Sequence, residues 1–174
     1  MRTIVASLFT SLDGVTDEPG QWHFPYWSDE MAKDVEATMS GADTMLLGRK
    51  TYEGFAASWP GRTDEGAEFM NNITKYVVSA TLAEADWNNT TVITRDQVAD
   101  LKAQDGATIM ISGSVSLVRS LLLADQLDEL HLLVHPIVLG KGARLFDDIG
   151  TELPLTLTES RTFGTGVLAL TYTR

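Results

Sequence analysis

The segment from Leu46 to Glu53 carries the strongest chemical signal in the chain. It passes from a short apolar strand pattern through Gly48 into a helix that opens with Arg49 and Lys50. At such a junction, backbone N–H groups and the positive end of the helix dipole point outward beside two fixed cations. This arrangement predicts an anion site, and the natural anion for an enzyme of this size is a nucleotide phosphate.

A second turn between a strand and a helix consists of three small residues, Ser112-Gly113-Ser114. Small side chains let a ligand approach the backbone closely and leave helix N–H groups free for a pyrophosphate. The alternative is an ordinary tight turn with Ser114 as the helix cap, and for this turn alone the alternative is stronger. Together with the Gly48 turn, phosphate binding becomes the better interpretation. The G-x-G-x-x-G fingerprint of a Rossmann fold does not follow the first strand.

Composition limits the possible partners. The 174 residues fit one domain, residues 1–174, and the net charge of −11 argues against nucleic acid or an anionic membrane surface. Local cations can still bind a phosphate, because the Debye length is only about 8 Å at physiological salt. The absence of cysteine excludes disulfides and thiolate metal sites and is typical of a cytoplasmic protein. No apolar run approaches the ~20 residues of a membrane span, and the N-terminus lacks a signal-peptide pattern.

The elements that would position these turns alternate between strands and helices. The patterns predict strands over residues 3–9, 43–47, 75–79, 91–94, 108–111 and 130–138, and helices over 50–57, 66–72 and 97–103, after Ser28 and after Ser114. Residues 155–162 and 167–173 predict a hairpin around Gly164-Thr165-Gly166. The expected fold class is therefore α/β, a three-layer sandwich whose mixed, mostly parallel sheet has helices on both faces and a C-terminal antiparallel hairpin. Such sheets bind ligands at the carboxyl ends of their strands.

The loop of residues 17–27 cannot be regular structure, and it is dense in aromatic residues. Trp22, Phe24 and Trp27 are candidates for a wall or lid that stacks on a planar heterocycle and excludes water. The alternatives are packing on the sheet or a subunit interface. His131 and His135 are four residues apart on one strand, which separates them by about 13 Å and excludes a shared metal ion, so no metal site is expected.

The order of these motifs resembles the dihydrofolate reductase superfamily, and more closely the reductase (RibD C-terminal) domain of riboflavin biosynthesis and its stand-alone relatives. The residues that carry the resemblance are Ser11-Leu12-Asp13-Gly14, Leu47 to Glu53, Val77-Val78-Ser79, Ile111 to Ser114, Asp128 to Leu132 and Pro136 to Gly142. The resemblance implies a reductase with NADP(H) as cofactor. It also implies a cis peptide bond between Ser112 and Gly113.

The resemblance also implies which residues bind the cofactor. Beside the nicotinamide would lie Ala6, Ser7, Leu8 and Val15; at the adenosine-side phosphates Gly48, Arg49, Lys50 and Thr51; near the 2′-phosphate Ser79 and Arg95; and at the pyrophosphate Ile111, Ser112, Gly113, Ser114 and Val115. Arginine favours NADP over NAD, because its fork binds two oxygens of a dianionic phosphate at once. For Ser79 and Arg95, the ordinary polarity of strand ends is an equally good explanation.

Dihydrofolate reductases place an acid early in the helix after the first loop, where Asp29 and Glu30 lie in this chain. We therefore predict Asp29 as a catalytic acid and Glu30 as a substrate contact, with Asp13 as a second catalytic candidate. First-turn carboxylates that face water, and an ordinary Asp-Gly turn, are the alternatives. The expected reaction is hydride transfer to a small planar heterocyclic, carbonyl or imine substrate, pteridine-like or aminopyrimidine-like. The alternatives are a dihydrofolate reductase proper and a nucleotide-binding protein without turnover. A homodimer is expected.

Overall fold

The computed structural model describes residues 1–174, with the side chain of Glu65 left out. The strands are β1 (Ile4–Ser11), β2 (Ala42–Gly48), β3 (Thr74–Val78), β4 (Thr90–Ile93), β5 (Thr108–Ser112), β6 (Glu129–His135), β7 (Thr156–Thr162) and β8 (Leu168–Thr173). The α-helices are α1 (Asp29–Ser40), α2 (Arg49–Ser58), α3 (Glu65–Asn72), α4 (Gln97–Ala103) and α5 (Val115–Leu123).

All eight strands form one sheet in the order β4-β3-β2-β5-β1-β6-β8-β7. The first six strands in this order are mutually parallel. The two strands of the C-terminal hairpin continue the sheet beyond β6, with β8 antiparallel to β6 and β7 antiparallel to β8. The predicted mixed sheet with a terminal hairpin is confirmed. The carboxyl ends of β1, β2 and β5 lie side by side, because these three strands are parallel neighbours.

Helices cover both faces of the sheet. Each strand contributes apolar side chains to both faces, because the side chains of successive strand residues point to opposite sides. On one face α4 and α5 bury Val98, Leu101, Val118 and Leu121 against Ile4, Leu46 and Ile109. On the other face α2 and α3 bury Tyr52 and Met70 against Met45 and Leu47, and α1 buries Met31 against Leu133. Burial of these apolar side chains stabilises the fold by about 25 cal/mol per Å².

A buried carboxylate fixes α1 to the sheet. Asp34 pairs with Arg161 of β7, and its second oxygen lies 3.3 Å from Nε2 of His131, without the alignment of a hydrogen bond. Burial lowers the pKa of His131, and the nearby Asp34 charge opposes that shift. His131 and His135 are both buried on the sheet face that α1 covers.

Two local predictions differ from the structure. β6 ends at His135 rather than at residue 138, because Pro136 has no N–H to continue the ladder. The loop of residues 17–27 contains two short 3₁₀ turns, Pro19–Gln21 and Phe24–Tyr26, each with proline in its first positions. In the part of the chain that the structure describes, no helix has the length and apolar character to cross a membrane.

Candidate functional site

The two small-residue turns that stand out in the sequence are in direct contact. The backbone N–H of Gly48 donates to Oγ of Ser114 at 2.9 Å, and the N–H of Ser114 donates to Oγ1 of Thr51 at 3.0 Å. These reciprocal bonds join the end of β2 to the start of α5, and the end of β5 to the first turn of α2. The starts of two helices are thereby held side by side at the carboxyl edge of the sheet.

Neither helix start carries a side-chain cap. Ser114 occupies the N-cap position of α5 as expected, but its hydroxyl bonds Gly48 instead of its own helix, and Gly48 itself caps α2 without a side chain. The predicted N-cap position of Ser114 is therefore confirmed, and its side chain makes no cap bond to α5. First-turn N–H groups have no partner within a helix, so the two uncapped starts present donors suited to an anion.

The conformation of the second turn also differs from expectation. Residues 1–174 contain no cis peptide bond, so the Ser112–Gly113 bond is trans and the expected cis bond is wrong. The chain turns instead through two successive left-handed residues, Gly113 with φ +69° and Ser114 with φ +56°. Successive backbone N–H groups in such turns form concave anion sites.

The turns border a groove of about 1220 Å³ that runs along the carboxyl edge of the sheet. This volume exceeds the ~300–1,000 Å³ of pockets for drug-sized ligands. Four cationic residues line the groove: Arg49, Lys50, Arg62 and Arg95. Among the described side chains, the carboxylate residues that line it are two, Asp17 and Glu18, both on the loop after β1. The groove is thus locally cationic within a chain of net charge −11, and screening limits the influence of the distant carboxylates.

Most of the predicted cofactor residues meet in this groove. Those that line it are Ser7, Leu8, Gly48, Arg49, Lys50, Thr51, Arg95, Ser112, Gly113, Ser114 and Val115. Four others lie elsewhere. Ala6 and Ile111 are fully buried in the core, Val15 is buried beside Arg144, and Oγ of Ser79 accepts backbone N–H groups of its own turn.

The two arginines predicted for the adenosine side differ in availability. The Arg95 guanidinium donates to Oγ and the carbonyl of Ser120 and, at 2.6 Å, to Oε1 of Gln126. Arg49 has a single ion pair, 3.3 Å to Glu53, and its side chain is half-exposed. Arg49 therefore keeps more free donors for a phosphate than Arg95 does.

The aromatic loop forms one wall of the groove. Phe24 and Trp27 line the groove and are largely exposed, at 65% and 44%. Trp22 instead points into the protein, where Nε1 donates to the carbonyl of Asp17 at 3.0 Å and the ring packs edge-on against His135. Trp22 anchors the loop, and the other two predicted residues face the groove.

The three predicted acids lie outside the groove lining. Asp13 accepts hydrogen bonds from the Ser11 hydroxyl and from the N–H groups of Leu139 and Gly140, and these bonds lower its pKa to about 2. Oε2 of Glu30 accepts the N–H of Gly164 at 2.7 Å, and Asp29 stands in the exposed first turn of α1. The helix presents Val35, Thr38 and Met39 to the groove instead.

Sequence reasoning overlooked His23 and the connection after α2. His23 lines the groove, and its ring packs against those of Phe9 and Phe24. Trp59 and Arg62 also line it, with the Arg62 guanidinium 4.5 Å above the Trp59 ring. The position of His23 within the aromatic loop could have indicated that it lines the groove. No local sequence pattern indicates this for Arg62.

The sheet order, the helices on both faces and the groove at the strand ends define a dihydrofolate reductase-like α/β fold. The chain belongs to the RibD C-terminal domain family, whose sequence profile matches residues 2–169. The chain is 29% identical to the uncharacterized protein YyaP of Bacillus subtilis, over 98% of this chain and 94% of that protein.

Solved structures share the fold. A Shewanella sp. PV-4 protein described as a riboflavin biosynthesis protein superposes with a TM-score of 0.80 at 23% identity, covering 99% of this chain and 98% of the other. A dihydrofolate reductase from Enterococcus faecalis, complexed with NADP(H), superposes with a TM-score of 0.62 at 18% identity, covering 98% and 93%. At these identities the likeness shows the fold, and the relatives in fold include reductases.

Proposed function

We propose that the protein is an NADPH-dependent reductase that delivers hydride to a small planar substrate with a C=N or C=O bond. The observation that carries this proposal is the contact between Gly48 and Ser114, which holds two uncapped helix starts and the cations Arg49 and Lys50 along one groove. Bound NADPH would supply the hydride. The residues of the chain would bind the cofactor and the substrate, orient them for hydride transfer and exclude water.

The phosphate end of the cofactor fits the residues present. The first turn of α5, beside Ser112-Gly113-Ser114, offers backbone donors for the pyrophosphate, and Arg49 and Lys50 offer charge for the adenosine-side phosphates. Arg49 is the stronger candidate for the 2′-phosphate, since three of the five N–H donors of Arg95 are already bonded within the chain. This charge is the basis for preferring NADP over NAD.

The substrate end lies where residues 7–9 of β1 face the aromatic wall. Ser7, Leu8 and Phe9 border the groove on one side, and Phe24 and Trp27 provide flat apolar surfaces for a planar ring, such as a pteridine or aminopyrimidine. A dihydrofolate reductase proper is the weaker hypothesis, because the residues that α1 presents to the groove include no carboxylate.

Arg49→Ala and Glu53→Gln test the cofactor site in opposite directions. We expect Arg49→Ala to weaken NADPH binding about tenfold or more and NADH binding less, because a phosphate–arginine contact contributes roughly 1.5–3 kcal/mol. Glu53→Gln should strengthen NADPH binding modestly, because it frees Arg49 from a half-exposed ion pair. Both affinities can be measured by fluorescence titration.

Turnover is measured by loss of NADPH absorbance with dihydrofolate, pteridine, aminopyrimidine and quinone substrates. Absence of NADPH binding, or an unchanged affinity in Arg49→Ala, would contradict the proposal. Tight binding without turnover on any substrate would instead identify a nucleotide-binding protein of this fold.

We also propose that the protein is a homodimer that pairs through one face of β6, β7 and β8. Cross-strand pairing places six apolar side chains on that face: Leu132, Val134, Leu157, Leu168, Leu170 and Tyr172. Leu157 and Leu168 are 49% and 38% exposed, and the other four are partly exposed. An apolar sheet face of this extent is typical of a protein interface.

A further inference from the structure

The aromatic wall of the groove contains one polar ring, that of His23. The side chain lines the groove although the residue is only 7% exposed. Its ring lies 4.8 Å from Phe9 and 4.1 Å from Phe24, measured between ring centroids, so packing against both rings restricts its orientation. Nδ1 is buried without a hydrogen-bond partner, and no described residue bonds Nε2. A buried polar group without a partner costs free energy, so its retention calls for an explanation.

His135 lies behind His23, away from the groove, and its tautomer is set by the backbone. Nδ1 of His135 lies 2.8 Å from the carbonyl of Leu133 and 3.2 Å from that of Thr10. Because carbonyl oxygens only accept hydrogen bonds, Nδ1 carries the proton, and Nε2 of the neutral ring is an acceptor. That Nε2 is also buried without a partner.

The two unpartnered nitrogens, Nδ1 of His23 and Nε2 of His135, belong to neighbouring rings. The ring centroids are 6.3 Å apart and the ring planes are nearly perpendicular, at 86°. Of the other rings around His135, Phe9 has no donor, the Trp22 N–H is already bonded to Asp17, and the Tyr26 hydroxyl makes no hydrogen bond to Nε2. An Nδ1–H on His23 would supply, through one bridging water, the donor that His135 Nε2 lacks. Burial lowers the pKa of both histidines, which keeps each ring neutral, with one donor and one acceptor nitrogen.

We propose that His135 fixes the tautomer of His23, so that Nε2 of His23 faces the groove as a hydrogen-bond acceptor for a planar heterocycle that presents an N–H donor at its edge. This inference rests on the proposed function, because it assigns the substrate end of the reductase groove. The ligand class is a lactam- or amino-substituted ring that stacks beside Phe24 and Trp27 and donates to His23. A carbonyl-only ring, such as a quinone, would leave Nε2 without a partner.

A matched pair of probes tests this specificity. Lumazine, a pteridinedione, has two ring N–H groups, and in N,N-dimethyllumazine methyl groups replace both. We expect the wild-type protein to bind lumazine more tightly than the dimethyl derivative. His23→Phe should weaken lumazine binding about tenfold, the effect of one lost hydrogen bond, and leave the dimethyl derivative unchanged. Tyr26→Phe is the matched control, since Tyr26 also lies against His135 but does not line the groove.

The tautomer is measured independently of binding by nitrogen NMR of the wild-type protein. The chain has three histidines, so the signals of His23 are those missing in His23→Phe. We expect a protonated Nδ1 and an unprotonated Nε2, unchanged in Tyr26→Phe. A protonated Nε2, or equal binding of the two probes to the wild-type protein, would overturn the inference.

Titrating NADPH in the same samples separates this inference from the proposed function. If NADPH does not bind while lumazine is still preferred, the reductase proposal fails and the role of His23 stands. If NADPH binds and the two probes bind equally, only the role of His23 fails.

Discussion

The hydroxyl of Ser114 accepts a hydrogen bond from the backbone N–H of Gly48, although the two residues are 66 positions apart in the chain. The Ser114 hydroxyl stands at the N-cap of α5, but it accepts the N–H of Gly48 instead of an N–H of its own helix. The same contact therefore joins the ends of β2 and β5 and leaves the start of α5 free of a side-chain cap. Structural cohesion and the proposed anion site therefore depend on one side chain.

Replacing Ser114 with alanine should affect both properties. We expect Ser114→Ala to lower the free energy of unfolding by about 1 kcal/mol, the usual contribution of one hydrogen bond, and to weaken NADPH binding because the two turns are no longer joined. Urea denaturation and fluorescence titration measure the two effects. Ser116→Ala, two residues further along α5, should leave stability unchanged because no described residue bonds its hydroxyl. Equal stability of the two variants would argue against the contact.

The glycines of the two small-residue turns, Gly48 and Gly113, should respond differently to alanine. Gly113 has φ +69°, where an L side chain is strained, so we expect Gly113→Ala to destabilise the protein by roughly 1 kcal/mol. Gly48 has φ −81°, and an added Cβ would meet Ser114 at an ordinary 3.6 Å, so Gly48→Ala should unfold like the wild type. Thermal and urea unfolding of the pair distinguish backbone strain from a general sensitivity of the turns.

Lys75 should make stability depend on pH in the alkaline range. The side chain is fully buried, its Nζ donates to the carbonyls of Met70, Asn71 and Ile73, and burial lowers its pKa from 10.5 to about 8. Between these two pKa values the unfolded chain binds more protons than the folded one. The free energy of unfolding therefore gains from this group as pH rises from about 8 to 10.5.

The variant Lys75→Met isolates that contribution. It should be less stable at neutral pH by about 1–3 kcal/mol, because three carbonyls at the end of α3 lose their donor. The stability difference in favour of the wild type should then widen as pH rises through the window. Urea unfolding of both proteins across the window measures it, and a constant or shrinking difference would show that the pKa of Lys75 is not lowered.

Charged residues on the apolar face of the hairpin should separate the proposed dimer. We expect Leu157→Lys and Leu168→Lys, singly and together, to shift the protein from dimer to monomer, because each buries a lysine in the interface. Light scattering after size-exclusion chromatography measures the mass. Leu123→Lys is the control, since Leu123 is also exposed, at 43%, but lies on α5. A monomeric wild-type protein would refute the dimer.

The sequence predicted those features that depend on local pattern. The strands, the helices and the hairpin follow from hydrophobic periodicity, and the positions of the two small-residue turns follow from Gly48 and Ser112-Gly113-Ser114. Features that depend on distant partners were not predictable. The donors of Arg95 are occupied by Ser120 and Gln126, and the N–H that Glu30 accepts belongs to Gly164, 134 positions away. His23 acquires its significance only from Phe9 and His135 beside it.

The parallel pairing of Ile4 with Ile109 at the centre of the sheet also has a kinetic consequence. The loops closed by this pair and by Gly48 with Ser114 are long, and closing them is entropically costly, so we expect slow folding in which neither half of the groove exists in early intermediates. A ligand that spans both turns would bind only the native state and not the unfolded chain. The melting temperature should therefore rise with ligand concentration, and in a cell the abundance of this protein would follow the supply of that ligand.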